Sequence, residues 1–190
     1  MPPIRRLYFG DNLDILPAYI ADASVDLVYL DPPFNSKRSY NVIFEGPGAT
    51  PARAQVEAFQ DTWTWTPDTQ AAFEKLVTSP DVPQAVASAL QGFHRLLDES
   101  DLMAYLVMMA PRLMEIVRVL KPTGSMFLHC DPTAGHYLKV LLDQVFPRGT
   151  FRNEIVWCYR GGGVPKNAFA RKHDTIFFYA RGKNNNFNPQ

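Results

Sequence analysis

The residues best suited to chemistry in this chain are Asp31-Pro32-Pro33-Phe34, which directly follow the apolar run Val25–Leu30. A short run rich in Val and Leu is typical of a strand buried on both faces. The carboxylate then stands at the carboxyl end of the strand, where open α/β sheets place their chemistry. Two consecutive prolines fix the backbone and remove two N–H donors, so the carbonyls nearby become rigid acceptors. A carboxylate, a stiff carbonyl and an aromatic ring within one tetrapeptide suit the binding of a planar group that carries an NH2.

Further motifs are spread along nearly the whole chain. They occupy residues 7–16, 24–27, 31–35, 120–125, 128–131, 153–157 and 173–179. In order and spacing this series resembles the β-class site-specific DNA amino-methyltransferases, which modify N6 of adenine or N4 of cytosine. In that permuted class the catalytic portion precedes the cofactor-binding portion, and this chain resembles the N-terminal catalytic portion.

The resemblance implies a role for each residue of the tetrapeptide. The lone pair of an exocyclic amine is delocalised into the ring of the base. Hydrogen-bond acceptors that contact both N–H groups make this lone pair available for reaction. We expect these acceptors to be the Asp31 carboxylate and the carbonyl of Pro32, within a backbone that Pro33 helps to stiffen. Phe34 would stack on a base flipped out of the duplex. The competing interpretations are a helix cap or turn for Asp31 and a core side chain for Phe34.

The identity of the first motif residue bears on the choice of base. An Asp at this position resembles the adenine-specific members, whereas Ser is commoner among enzymes that act on the cytosine amine. We therefore expect N6 of adenine as the target, with N4 of cytosine as the alternative.

The resemblance also implies S-adenosylmethionine as the cofactor. Asp11 follows Gly10, and the corresponding acidic residue of the family lies near the adenosine part of the cofactor. A cap for a helix over 12–21 is the competing view. A metal site is not expected, because His129-Cys130-Asp131 alternates between strand faces and no second His/Cys pair has ligand spacing.

One family feature is absent from the sequence. The glycine-rich Phe-x-Gly-x-Gly loop, which approaches the methionine end of the cofactor, does not occur. Gly161-Gly162-Gly163 follows an expected strand, but no helix comes after it to receive the cofactor. Three explanations stay open: a truncated chain, one half of a split enzyme completed by a second chain, or a degenerate remnant. Activity of this chain alone is thus an open question, and a second chain or a homodimer partner is a candidate.

Charge is distributed unevenly. Lys and Arg number 19, as do Asp and Glu, so the chain is neutral overall. Residues 148–190 contain eight Lys and Arg against Glu154 and Asp174, which gives them +6 and leaves −6 for residues 1–147. A local basic surface can follow the phosphates of double-stranded DNA despite a neutral total. The expected DNA contacts are Lys37, Arg38, Arg160, Lys166, Arg171 and Lys172, with a solvated surface as the alternative.

The bulk properties are those of an ordinary globular protein, with 46% hydrophobic and 20% charged residues. No apolar run reaches the ~20 residues of a membrane span, and the start lacks a secretory signal. Cys130 and Cys158 both fall on expected buried strands and are interpreted as reduced thiols. We expect a cytoplasmic protein without a membrane partner.

The fold expected is α/β, a Rossmann-like methyltransferase sheet that is mostly parallel with an antiparallel edge hairpin. It would be covered on both sides and incomplete on the cofactor-loop side. Residues 1–190 would form a single, partial catalytic domain with a helical or loop insertion at about 46–100. Strands are expected at 5–9, 25–30, 125–130, 151–158 and 174–180. Helices are expected at 12–21, from 102 onward with a kink at Pro111, and at 133–146. A turn is expected at 122–124.

The function predicted from these patterns is S-adenosylmethionine-dependent methylation of the adenine amino group in DNA, of the restriction-modification type. The alternatives are N4-cytosine methylation and an inactive or split fragment that serves as a DNA-binding or assembly subunit. A nucleotide hydrolase is disfavoured, because no Gly-x-x-x-x-Gly-Lys-Ser/Thr loop occurs.

Overall fold

The computed structural model describes residues 5–33, 63–160, 163 and 165–188, together with the backbone of 38–43 and 55–61. The helices are α1 (Asn12–Tyr19), α2 (Pro67–Thr78), α3 (Gln84–Leu97), α4 (Asp101–Val119) and α5 (Gly135–Val145). The strands are β1 (Val25–Leu30), β2 (Arg38–Ile43), β3 (Gln55–Asp61), β4 (Leu120–Cys130), β5 (Phe151–Cys158) and β6 (His173–Ala180).

The main sheet has four strands in the order β1-β4-β6-β5, and β2 pairs with β3 in a separate antiparallel hairpin. β1 is parallel to β4, while β6 is antiparallel to both β4 and β5. Three strands therefore point the same way, and β6 runs against them. This open α/β sheet confirms the expected fold class.

The hydrophobic core lies between one face of this sheet and the helices. Alternate residues of β4 and β6 face it and are almost fully buried, namely Met126, Leu128, Cys130, Phe177 and Tyr179. Alternation along a strand sends the residues between them to the opposite face. There Phe127 stacks on Phe178 with ring centroids 4.5 Å apart.

The opposite face of the sheet is exposed at its two edge strands, β1 and β5, whereas His129 and Phe178 of the central strands are buried on it. Leu27, Tyr29 and Trp157 are about half exposed on it, at 57%, 53% and 52%. Among the described residues the helices lie on one face of the sheet, whereas we expected cover on both sides. The reason is topological: the crossovers from β1 to β4 and from β4 to β5 advance in the same direction along the sheet. Right-handed crossovers in one direction place their helices on one face.

The helix α4 runs unbroken past Pro111, where we expected a kink or two abutting helices. Ser100 caps its start by accepting a hydrogen bond from the N–H of Met103. Ten of its 19 residues are buried. Each buried apolar side chain is worth about 1.5–3 kcal/mol, which outweighs the ~3 kcal/mol cost of an internal proline.

Several strand and turn expectations are also corrected. Residues 5–9 form no strand, and 122–124 belong to β4 rather than to a turn. The segment 55–61, within the helical or loop insertion expected at about 46–100, is β3. α5 begins at Gly135, because Asp131 accepts from the N–H groups of Thr133 and Ala134 and caps a preceding turn instead. The strands at 25–30 and 151–158 are confirmed.

Within the described residues, none of the helices combines the length and apolar character that crossing a membrane requires. The single-domain boundaries stay a prediction.

Candidate active site

A cleft opens at the carboxyl end of β1, with a volume of about 550 Å³. This volume falls in the ~300–1,000 Å³ range of small-molecule sites. Its lining consists of Tyr8, Phe9, Gly10, Asp11, Asn12, Leu30, Asp31, Pro32, Pro33, Trp63, Met108, Met109 and Arg112. The cleft thus brings together Asp31, Pro32 and Pro33 of the tetrapeptide with the expected cofactor residue Asp11.

Asp31 stands one residue beyond β1, with 60% of its side chain exposed. Pro32 restricts its backbone to extended conformations. One carboxylate oxygen, Oδ1, lies 3.0 Å from Nδ1 of His129 on the neighbouring strand. Burial, and then the charge of Asp31, raise the pKa of the nearby Tyr29 hydroxyl.

Asp11 is held by two partners. Its Oδ1 accepts the backbone N–H of Leu13 at 2.8 Å, which caps α1. Arg112 of α4 donates through Nη2 to both carboxylate oxygens, at 2.9 and 2.7 Å. The competing view, a helix cap, is therefore realised, and the cofactor role of Asp11 stays a prediction. Arg112 was missed, because its partner is 101 residues away in sequence.

His129 and Asp174 were also missed as site residues. His129 on β4 is almost buried, and its Nε2 lies 3.4 Å from Oδ2 of Asp174 on β6. Burial, and then the charge of Asp174, raise the pKa of the Tyr159 hydroxyl. In the sequence, residues 128–131 were interpreted as part of the family resemblance and as unsuitable for a metal site.

The cleft residues fit the adenosine part of a cofactor. Trp63, Met108 and Met109 give an apolar wall for a purine, and the Asp11 carboxylate lies at the same cleft for polar groups. Among the described residues, the cleft has no glycine-rich segment that could receive the methionine end. The fit is thus to one half of S-adenosylmethionine.

The part of the chain that the structure describes contains no cluster of His, Cys, Asp and Glu that could hold a metal ion. Burial, and then the charges of Asp131, Asp174 and Glu154, raise the pKa of the Cys130 thiol to about 12. Cys130 is therefore a protonated core residue. Cys158 is exposed, contrary to the buried position expected, because β5 is an edge strand.

Four of the six expected DNA-contacting residues have described side chains, and these four are outside the cleft lining. Arg160, Lys166 and Arg171 are exposed in the segment between β5 and β6, and Lys172 is half-buried. Phe34 and Lys37 lie outside the described residues. Of Arg38 only the backbone is described, as the first residue of β2.

Two other basic residues of the C-terminal part bind the protein's own backbone. Arg152 donates to the carbonyls of Gly149, Gly182 and Lys183 and to Asn185. Arg181 donates to the carbonyl of Leu120. The number of cations free for phosphates is thus smaller than the sequence count.

Comparison with known families finds a match to the DNA methylase model over residues 25–190. Among curated relatives, the Mod subunit of the type III restriction-modification enzyme StyLTI from Salmonella typhimurium is 28% identical over 151 residues, covering 78% of this chain and 19% of the relative. The type II methyltransferase M.KpnI from Klebsiella pneumoniae is 24% identical over 178 residues, covering 92% and 32%. The chain spans about a fifth to a third of the length of these relatives.

Solved structures give more distant likenesses. A DNA modification methylase from Thermus thermophilus has a TM-score of 0.48 at 15% identity, covering 98% of this chain and 57% of the other. The PvuII DNA methyltransferase, described as cytosine-N4-specific, has a TM-score of 0.47 at 14% identity, covering 94% and 49%.

Proposed function

The chain belongs to the DNA methylase family, and we propose that it methylates the exocyclic amino group of a base in DNA with S-adenosylmethionine as the methyl donor. The observation that carries the proposal is the cleft at the end of β1, which Asp31, Pro32 and Pro33 line together with Asp11.

The chemistry assigned to the chain is the activation of a poor nucleophile. The Asp31 carboxylate and the Pro32 carbonyl accept hydrogen bonds from the two N–H groups of the amine. These hydrogen bonds make the lone pair of the nitrogen available for methyl transfer. S-adenosylmethionine, when bound, supplies an electrophilic methyl group. Asp31 is also an acceptor beside the nitrogen for the proton that the methylated amine must lose. Holding the reacting groups in line is worth several kcal/mol in such reactions, up to about 7–11.

Adenine is the base we propose. The first residue of the tetrapeptide is Asp31, which resembles the adenine-specific members of the family. Phe34 is assigned to stacking on the flipped base, where each base–aromatic contact is worth about 1–3 kcal/mol. The relatives include Mod subunits of type III restriction-modification enzymes, and we place the protein in a restriction-modification system.

Methyl transfer tests the proposal directly. The full chain is incubated with unmethylated plasmid DNA and S-adenosylmethionine labelled in the methyl group, and the DNA is digested to nucleosides for mass spectrometry. We expect labelled N6-methyladenine. N4-methylcytosine would overturn the choice of base, and the absence of both products would overturn methylation by this chain.

Asp31→Ala is expected to lower the rate of methyl transfer by about 10²–10⁴-fold, because it removes the acceptor of the amine. Asp26→Ala, within β1, is the matched control. Asp26 forms an exposed ion pair with Lys121 at 2.7 Å, and such pairs contribute about 0–1 kcal/mol. The rate of the control should stay within about twofold of the wild type; equal rates in the two variants would refute the role of Asp31.

A second candidate function is a DNA-binding or assembly subunit without activity of its own. The observation that favours it is the exposed apolar surface of the edge strand β1, where Leu27 and Tyr29 are about half exposed, since exposed apolar patches mark interaction sites. DNA retention in a gel-shift assay without any methylated nucleoside would support this candidate over the first.

A further inference from the structure

The imidazole of His129 lies between two carboxylates at one end of the sheet. Nδ1 is 3.0 Å from Oδ1 of Asp31 and Nε2 is 3.4 Å from Oδ2 of Asp174. Asp31 follows β1, His129 lies on β4 and Asp174 lies on β6, and these three strands are neighbours in the sheet in that order. The imidazole thus connects the exposed carboxylate of the cleft to the interior of the sheet.

The register of the sheet determines this arrangement. Leu30 of β1 is opposite Leu128 of β4, so the next residue of each strand, Asp31 and His129, are neighbours at the strand end. Leu128 faces the helices and is fully buried. Alternation therefore turns His129 to the opposite face, where its ring centroid is 5.4 Å from that of Trp157.

The surroundings of His129 make it a rigid anchor. β4 pairs with β1 on one side and with β6 on the other. Only 9% of the His129 side chain is exposed, against 60% for Asp31. Pro32 limits the backbone of Asp31, but it leaves the rotation of the carboxylate about its side-chain bonds free.

We infer that His129 is a positioning residue for Asp31, an inference that rests on the proposed methylation. The N–H at Nδ1 donates to Oδ1 of Asp31 and fixes the rotation of the carboxylate. Oδ2 is thereby left to accept the N–H of the target amine. Asp174 faces the other ring nitrogen and selects the orientation of the ring. Such supporting hydrogen bonds hold a reacting group in the productive geometry, and a misplacement of about 1 Å can cost 10²-fold in rate.

The two amide substitutions of His129 separate this role from general packing. The side-chain N–H₂ of Asn reaches about the position of Nδ1, and that of Gln reaches about the position of Nε2. His129→Asn therefore keeps a donor for Asp31, whereas His129→Gln keeps one only on the side of Asp174. We expect His129→Gln to lower kcat by about 10²-fold with an unchanged KM for DNA. His129→Asn should retain kcat within about fivefold, and equal losses in the two variants would overturn the inference.

A measurement that needs no activity tests the hydrogen bond itself. Long-range ¹H–¹⁵N NMR of the imidazoles, with the His129 signals assigned by their loss in His129→Gln, reports the proton on Nδ1. The inference requires a protonated Nδ1 whose resonance shifts in Asp31→Ala; an unchanged ring spectrum would overturn it. If the shift is observed but the wild-type chain yields no methylated nucleoside, the inferred hydrogen bond stands and the proposed function fails.

Discussion

Two carboxylates share the cleft, and their neighbours give them different properties. Asp11 has both oxygens bound by the guanidinium of Arg112, so its charge is paired and its position is fixed. Among the described residues, Asp31 has a hydrogen-bond partner at Oδ1, which is His129. We therefore expect Oδ2 of Asp31 to contact the reacting amine, whereas the paired carboxylate of Asp11 is suited to binding the cofactor.

The two cysteines provide a test at the scale of single residues. At pH 8, a thiol whose pKa is about 12, as for Cys130, is ionised to about one part in 10⁴, and only the thiolate is nucleophilic. Cys158 is exposed. We expect iodoacetamide to label Cys158 and to leave Cys130 unmodified in the native protein, as measured by peptide mass spectrometry. Both should react in denaturant, and rapid labelling of native Cys130 would contradict its burial in the core.

Local sequence was sufficient to place Asp31 at the end of a strand. It was insufficient to predict which residues contact Asp31 and Asp11. An apolar run followed by Asp-Pro-Pro specifies a strand end within a few residues. The contacts of Asp31 with His129 and of Asp11 with Arg112 join positions 98 and 101 residues apart. Such contacts depend on sheet register and on how α4 packs, and a single sequence carries no local pattern for either.

At the scale of elements, β4 shows how tertiary pairing overrides turn residues. Residues 122–124 have the composition of a turn, yet they extend β4. The backbone after β6 packs against this segment: Arg181 N–H donates to the carbonyl of Gly124 at 2.9 Å, and Asn186 N–H donates to that of Thr123 at 3.1 Å. The strand at 55–61 was missed for a related reason, because its partner is the remote segment 38–43.

The close contact between β4 and the segment after β6 predicts the effect of a substitution. A Cβ added at Gly182 would lie 2.5 Å from the carbonyl oxygen of Pro122, so the backbone would have to move. Gly182→Ala should lower the free energy of unfolding by about 1–3 kcal/mol. Gly92 in α3 has open space around it, and Gly92→Ala should raise that free energy by about 0.5–1 kcal/mol. Urea denaturation measures both, and opposite signs are required.

At the scale of the whole molecule, fold class and charge distribution could be predicted from the sequence, whereas the covering of the sheet could not. The order of strands and helices indicates an α/β sheet, but the face on which each helix lies follows from the direction of each crossover. The charge count required a correction of a similar kind. Arg152 and Arg181 bind backbone carbonyls, and this leaves the exposed cations between β5 and β6 as candidates for phosphate contact.

Those exposed cations allow a test of DNA binding by the whole molecule. Replacing Lys166 and Arg171 with Gln should weaken binding to duplex DNA of any sequence, because each cation that neutralises a phosphate releases counterions. The slope of log K against log salt should become shallower by about 1 for each phosphate that is no longer neutralised. The matched control replaces Lys75 and Arg95, which are exposed on α2 and α3, and it removes the same net charge. Equally weakened binding in both double variants, measured by fluorescence anisotropy over a range of salt concentrations, would show that total charge, and not the segment between β5 and β6, governs binding.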